Sequence, residues 1–72
     1  MIITTIRNNK LYIKFDSLVG EGIIYITDNE NFKTQQKIKS SDFEVIDLKA
    51  NLDKIHIQIE IGEKITTKTI HV

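Results

Sequence analysis

The chain has no cysteine, no proline and no tryptophan, and only three glycines and one alanine. Without cysteine, neither a disulfide nor a thiolate metal site can reinforce the fold. Charge of one sign is missing too: ten basic and ten acidic side chains cancel to a formal net charge of zero. No net field therefore draws the chain to nucleic acid or to an anionic membrane. Long apolar runs are also absent, since none approaches the roughly 20 residues that a membrane-spanning helix needs. The N-terminal Met1-Ile2-Ile3-Thr4-Thr5-Ile6-Arg7 lacks the basic start and long apolar stretch of a secretory signal. Two locations follow. The chain is cytoplasmic if Met1 is the natural start, and secreted or on the cell surface if it is a domain of a longer exported protein.

What is present is β-branched. Isoleucine, valine and threonine dominate, and such side chains fit a pleated surface better than a helix. At 72 residues the chain forms one domain, residues 1–72. A domain of this size buries only roughly 60% of the surface of its unfolded chain, which leaves little volume for a buried active site.

Periodicity sharpens the class. In Lys54-Ile55-His56-Ile57-Gln58-Ile59-Glu60-Ile61, isoleucine alternates with polar residues, the signature of a strand with one buried face. Leu11, Ile13 and Phe15 alternate with Tyr12 and Lys14 in the same way. Ile23 to Ile26 is apolar on both faces and reads as a central strand. Asn8-Asn9 can supply the two positive-φ residues of a tight turn between Ile2–Arg7 and Lys10 to Asp16. Asp28 to Asn31 joins the central strand to a weaker one, Phe32 to Ile38. Ser40-Ser41-Asp42 breaks the chain before Phe43 to Leu48, and Lys49 to Asp53 is a loop. Gly62-Glu63 suits a two-residue hairpin turn before the last strand, Lys64 to Val72.

Two registers conflict with simple alternation. Phe43 and Val45 are out of phase with Ile46 and Leu48, which predicts a bulge at Val45-Ile46. Ile65 is out of phase with Ile70 and Val72, which predicts either a bulge or one apolar residue facing out. The sum is an all-β chain of about seven short antiparallel strands and no helix. A compact immunoglobulin-like β-sandwich is the expected architecture, with a small β-barrel as the alternative.

Residues for chemistry are sparse. His56 and His71 can approach each other on an exposed face of the last hairpin, with Glu60 or Asp53 as a carboxylate for a metal. The plainer reading is two solvated histidines. Asp28-Asn29-Glu30-Asn31 is turn chemistry and lacks the twelve-residue calcium-loop pattern. Ser40 and Ser41 have no adjacent base, and no glycine-rich phosphate loop exists. Tyr12 with Lys10 and Lys14, and the row Lys33, Lys37 and Lys39, come closest to a nucleic-acid face. Such lysines are more simply solvated or guard an edge strand. The expectation is therefore a non-enzymatic binding protein, without cofactor or metal, without a nucleic-acid partner and without membrane insertion.

From Lys10 onward the chain resembles the C-terminal sorting domain of the type IX secretion system, the Por secretion tail family. The family's opening strand matches Lys10-Leu11-Tyr12-Ile13-Lys14-Phe15, and its hairpin matches Ile24-Tyr25-Ile26-Thr27-Asp28. Its third element is similar to Phe43 to Leu48 with Leu52. Its ending is similar to Ile57 to Lys64, followed by Thr67-Lys68-Thr69-Ile70-His71-Val72. The departures are a missing proline-rich lead-in, Asn31 for the hairpin glycine, His56 for a tyrosine, and Lys68-Thr69 for paired lysines. A small immunoglobulin-like family of free-standing exported proteins has a similar strand pattern.

The sorting resemblance implies an immunoglobulin-like sandwich that performs no chemistry and serves as an address for the secretion machinery, its protein partner. It implies that Gly62, Lys64, Lys68, Ile70 and Val72 carry recognition, although Ile70 and Val72 would be core residues in any sandwich. The alternative is a free-standing immunoglobulin-like protein that binds another protein through a sheet face or edge strand. In either case the exposed last strand offers a route to a homodimer.

Overall fold

A computed structural model of the chain describes residues 2–28, 33–49 and 53–71. Among these residues it forms five strands and no helix: β1 (Ile2–Arg7), β2 (Lys10–Asp28), β3 (Lys33–Asp47), β4 (Lys54–Ile61) and β5 (Lys64–His71). All pairings are antiparallel. β3 runs along one side of β2, while β1 and β4 share its other side in series, and β5 lies outside β4. The sheet curls on itself into a half-barrel, with principal extents of 32 × 22 × 18 Å.

The count is five strands where alternation and turn signals predict about seven. The runs Lys10 to Asp16 and Ile23 to Ile26 are two limbs of the single strand β2, and Ser40-Ser41-Asp42 lies inside β3. The reason is visible in the pairing. Lys14 faces Phe43 and the next pair is Val19 with Ser41, so β2 carries residues 15–18 where β3 carries only Asp42. Extra residues on one strand bend the pair without ending it. Ser40, at φ 49°, takes up part of the turn in β3. The first limb of β2 thus pairs with β1 and the second half of β3. The other limb pairs with the first half of β3 and with β4.

The core fills the hollow of this bend. β2 contributes Leu11, Ile13, Phe15, Val19, Ile24 and Ile26, β3 contributes Ile38 and Ile46, and β4 contributes Ile55, Ile57 and Ile59. Ile2, Ile6, Leu48, Ile61 and Ile70 pack around that centre. The alternation in β4 therefore places its isoleucines as expected. Gln36 Nε2 donates to Glu44 Oε1 at 2.6 Å, joining the two limbs of β3 across the fold. Where β2 passes β4, a Cβ on Gly22 would lie 2.9 Å from the Glu60 carbonyl oxygen and 3.2 Å from the Ile38 and Ile61 side chains. A backbone oxygen cannot swing aside as a side chain can, so only glycine fits there.

The hairpins follow their turn residues. Asn8 and Asn9 stand at φ 52° and 61°, the left-handed pair that a tight β1–β2 turn requires. The Leu48 amide donates to the Asn9 carbonyl at 2.8 Å and ties the end of β3 to that turn. The predicted bulge at Val45-Ile46 is absent: Leu11 pairs with Ile46 and Tyr12 with Val45 in unbroken register. The phase conflict arises because Phe43 and Val45 face outward while Ile46 faces the core. Pairing of β4 with β5 is likewise continuous, so Ile65 faces solvent and is 60% exposed. Asn29 to Asn31 of the turn that starts at Asp28, Phe32, most of the Lys49 to Asp53 loop and Val72 fall outside the described residues.

Ile57→Ala, which empties a fully enclosed position, should cost about 2–5 kcal/mol. Ile65→Ala should stay within about 0.5 kcal/mol of the parent. Urea unfolding followed by circular dichroism measures both.

Candidate functional site

Four of the five residues that the resemblance assigns to recognition lie on the last hairpin. Gly62 stands at φ 61°, the first position of the β4–β5 turn. In β5 the register sets Lys64, Thr66, Lys68 and Ile70 opposite Ile61, Ile59, Ile57 and Ile55. The row of β5 that faces the inside of the sheet is thus two lysines, a threonine and one isoleucine, beside an unbroken isoleucine row in β4. Ile70 packs on the core, whereas Lys64 and Lys68 are exposed.

An inward row can stay polar because the half-barrel is open there. Among the described residues no Cα of β1 comes within 8 Å of a Cα of β5. The gap holds a cleft of about 370 Å³ lined by Ile2 and Thr4 of β1, Ile57 and Ile59 of β4, and Lys64, Thr66 and Lys68 of β5. A second cleft of about 280 Å³ shares Ile2, Lys64 and Thr66 and reaches Phe15 and Val19 at the bend. Asp16 lines that second cleft as well, at the same end as Lys64. Beyond β5, no strand of the described residues pairs with its outer edge. That row of backbone N–H and C=O groups is available to another chain.

A different surface lies on the outer face of the first limb. Rows across the sheet read Ile3–Lys14–Phe43, then Thr5–Tyr12–Val45, then Arg7–Lys10–Asp47. Ile3, Phe43 and Val45 are 55%, 46% and 39% exposed, and the Tyr12 and Phe43 rings stack at 6.1 Å and 26°. Lys10 and Lys14, candidates for a nucleic-acid face, reach Asp47 at 3.6 Å and Asp42 at 3.7 Å. Each therefore has an acidic neighbour where a phosphate would have to bind. Sequence reasoning did not identify this apolar face. Its signal was the phase conflict at Val45-Ile46, which marks apolar residues on both sides of one strand.

The remaining candidates are dispersed. His56 Nδ1 and Thr69 Oγ1 share a hydrogen bond at 2.9 Å, and His71 sits diagonally across the same face, opposite Lys54. The Glu60 carboxylate accepts a hydrogen bond from Gln58 Nε2 at 3.0 Å. Among the described residues no group of three or more histidine, cysteine, aspartate or glutamate side chains is placed to hold a metal ion. Lys33, Lys37 and Lys39 occupy β3, the other margin of the sheet. The Ser41 hydroxyl turns back on Phe43, donating to its carbonyl at 2.8 Å and accepting from its amide at 3.2 Å.

No protein-family model matches the chain, and no curated protein matches it.

Gly62 and Gly20 both have open space around an added Cβ, but only Gly62 has positive φ. Gly62→Ala should therefore cost about 1 kcal/mol or more. Gly20→Ala should be neutral or stabilising by a few tenths of a kcal/mol, roughly the backbone-entropy gain. Paired thermal melts would separate the two.

Proposed function

We propose that this chain is a non-catalytic recognition module that binds an extended segment of another protein along the outer edge of β5. The observation that carries the reading is the composition of that edge strand. A β5 whose only task was to cover the core would repeat the isoleucines of β4; instead it presents Lys64, Thr66 and Lys68. A segment added to the edge gains main-chain hydrogen bonds, and its alternate side chains fall opposite those of β5. Acidic residues at the spacing of Lys64 and Lys68 would meet both ammonium groups. Ile65, on the opposite face, would take an apolar neighbour.

In the role that the sorting resemblance implies, the partner belongs to the type IX translocation machinery and the domain is an address on an exported cargo. Gly62, Lys64, Lys68 and Ile70 are contiguous on one hairpin, which supports a single recognition element. The two limbs of the bent sheet would then correspond to the two layers of the immunoglobulin-like sandwich.

The test is a fusion of a signal peptide and a fluorescent cargo to residues 1–72, expressed in a host that carries the type IX system. Cargo should reach the cell surface or medium. The double variant Lys64→Glu/Lys68→Glu should reduce export at least tenfold while leaving the fold intact, as checked by circular dichroism. Retention of the parent fusion in the periplasm would sink the sorting role. Undiminished export of the double variant would remove β5 as the recognition strand.

A further inference from the structure

We infer that the outer face of β1, the first limb of β2 and the second half of β3 is where two copies of this chain meet, in a face-to-face dimer whose two-fold axis runs along β2. The argument starts from the arrangement of the face. Its rows are Ile3–Lys14–Phe43, Thr5–Tyr12–Val45 and Arg7–Lys10–Asp47, with β2 as the middle column. Stacked sheets pack about 10 Å apart with their strands aligned to within roughly 30°. Two axes in the plane of the face bring it against a copy of itself.

An axis across the strands would exchange the first and third rows. Ile3 would then lie on Arg7 of the second copy and Phe43 on Asp47, which sets apolar groups against charges. An axis along β2 keeps the rows and exchanges β1 with β3. Ile3 then covers Phe43 of the second copy, Thr5 covers Val45, Tyr12 meets Tyr12, and Arg7 meets Asp47. Both peripheral columns are complementary in this second arrangement: apolar on apolar at one end, cation on anion at the other. Lys10 and Lys14 lie on the axis and face their own counterparts, with Asp47 at 3.6 Å and Asp42 at 3.7 Å to offset that contact. Arg7 makes no ion pair within the described residues, so its guanidinium is available to the second copy.

The other terms agree. Zero net charge removes long-range repulsion between copies. Ile3, Phe43 and Val45 are the exposed apolar side chains of this face, and the dimer would withdraw all three from water. The face is three strands wide and offers three exposed apolar side chains per copy, which places the dimer in the weak, concentration-dependent class.

Sedimentation equilibrium from about 10 μM to about 1 mM, the range that brackets such affinities, should show a monomer–dimer equilibrium. Phe43→Lys should raise the dissociation constant at least tenfold with unchanged circular dichroism. Arg7→Asp and Asp47→Arg should each weaken association several-fold, and the two together should restore it. A monomer throughout the range would overturn the inference, and so would a dimer indifferent to Phe43→Lys. Failure of the charge exchange to restore association would overturn the axis along β2.

Discussion

The bend in β2 is the constraint on which the rest of the structure depends. A flat strand of that length would present one long face to a single layer, and the described residues form no second sheet to cover it. Placing residues 15–18 of β2 against Asp42 alone turns the strand, so that its own two limbs cover each other. Leu11 and Ile13 on one limb and Ile24 and Ile26 on the other then share one core. β3 must bend with it, and Ser40 at positive φ is the local cost. The Gln36–Glu44 hydrogen bond is a consequence: these side chains meet only because β3 has folded over.

The bend also explains what could be read in the sequence. Alternation in Lys54–Ile61, the Asn8-Asn9 turn and the Gly62 turn are local patterns, and local backbone preference decides them. The two limbs of β2 were legible as strand-forming segments, because period two persists on each side of the bend. Their continuity was not. Gly20 and Gly22 resemble turn residues, but Gly22 is there to let β4 approach, a reason that exists only after folding. The bulge was misplaced for a related reason. An apolar residue on the wrong face can mean a register shift or an exposed side chain, and only the cross-strand partner of Val45 distinguishes them.

The candidate surfaces were legible in unequal degree. Lys64 and Lys68 could be named from sequence, yet their phase relative to the isoleucines of β4 depends on the register of the final hairpin. That register puts them on the inner row, beside a gap that β1 leaves unfilled. Charged residues that point inward on an edge strand discourage indiscriminate pairing between sheets. In the proposed role the same charges would select a partner of opposite sign, because a neutral or basic strand at that edge would leave the ammonium groups without compensation. Protection and selectivity would then be one property of β5.

Two inversions of the usual pattern remain when the fold has been accounted for. β5 is polar where it faces the inside, and the first limb carries Ile3, Phe43 and Val45 where it faces water. Exchanging the two compositions would enlarge the core and reduce exposed apolar surface, both favourable in a chain whose stability margin is a few kcal/mol. Consistency between pattern and fold holds for β4 and for both limbs of β2, so these departures are local. They also lie apart, one at the margin of the sheet and one on the convex face of its other end. A copy docked on the convex face would leave β5 exposed, and a strand added to β5 would leave Tyr12 and Phe43 uncovered. A dimer of this geometry would present two such edges, and a partner with two acidic segments would gain from both without any new contact.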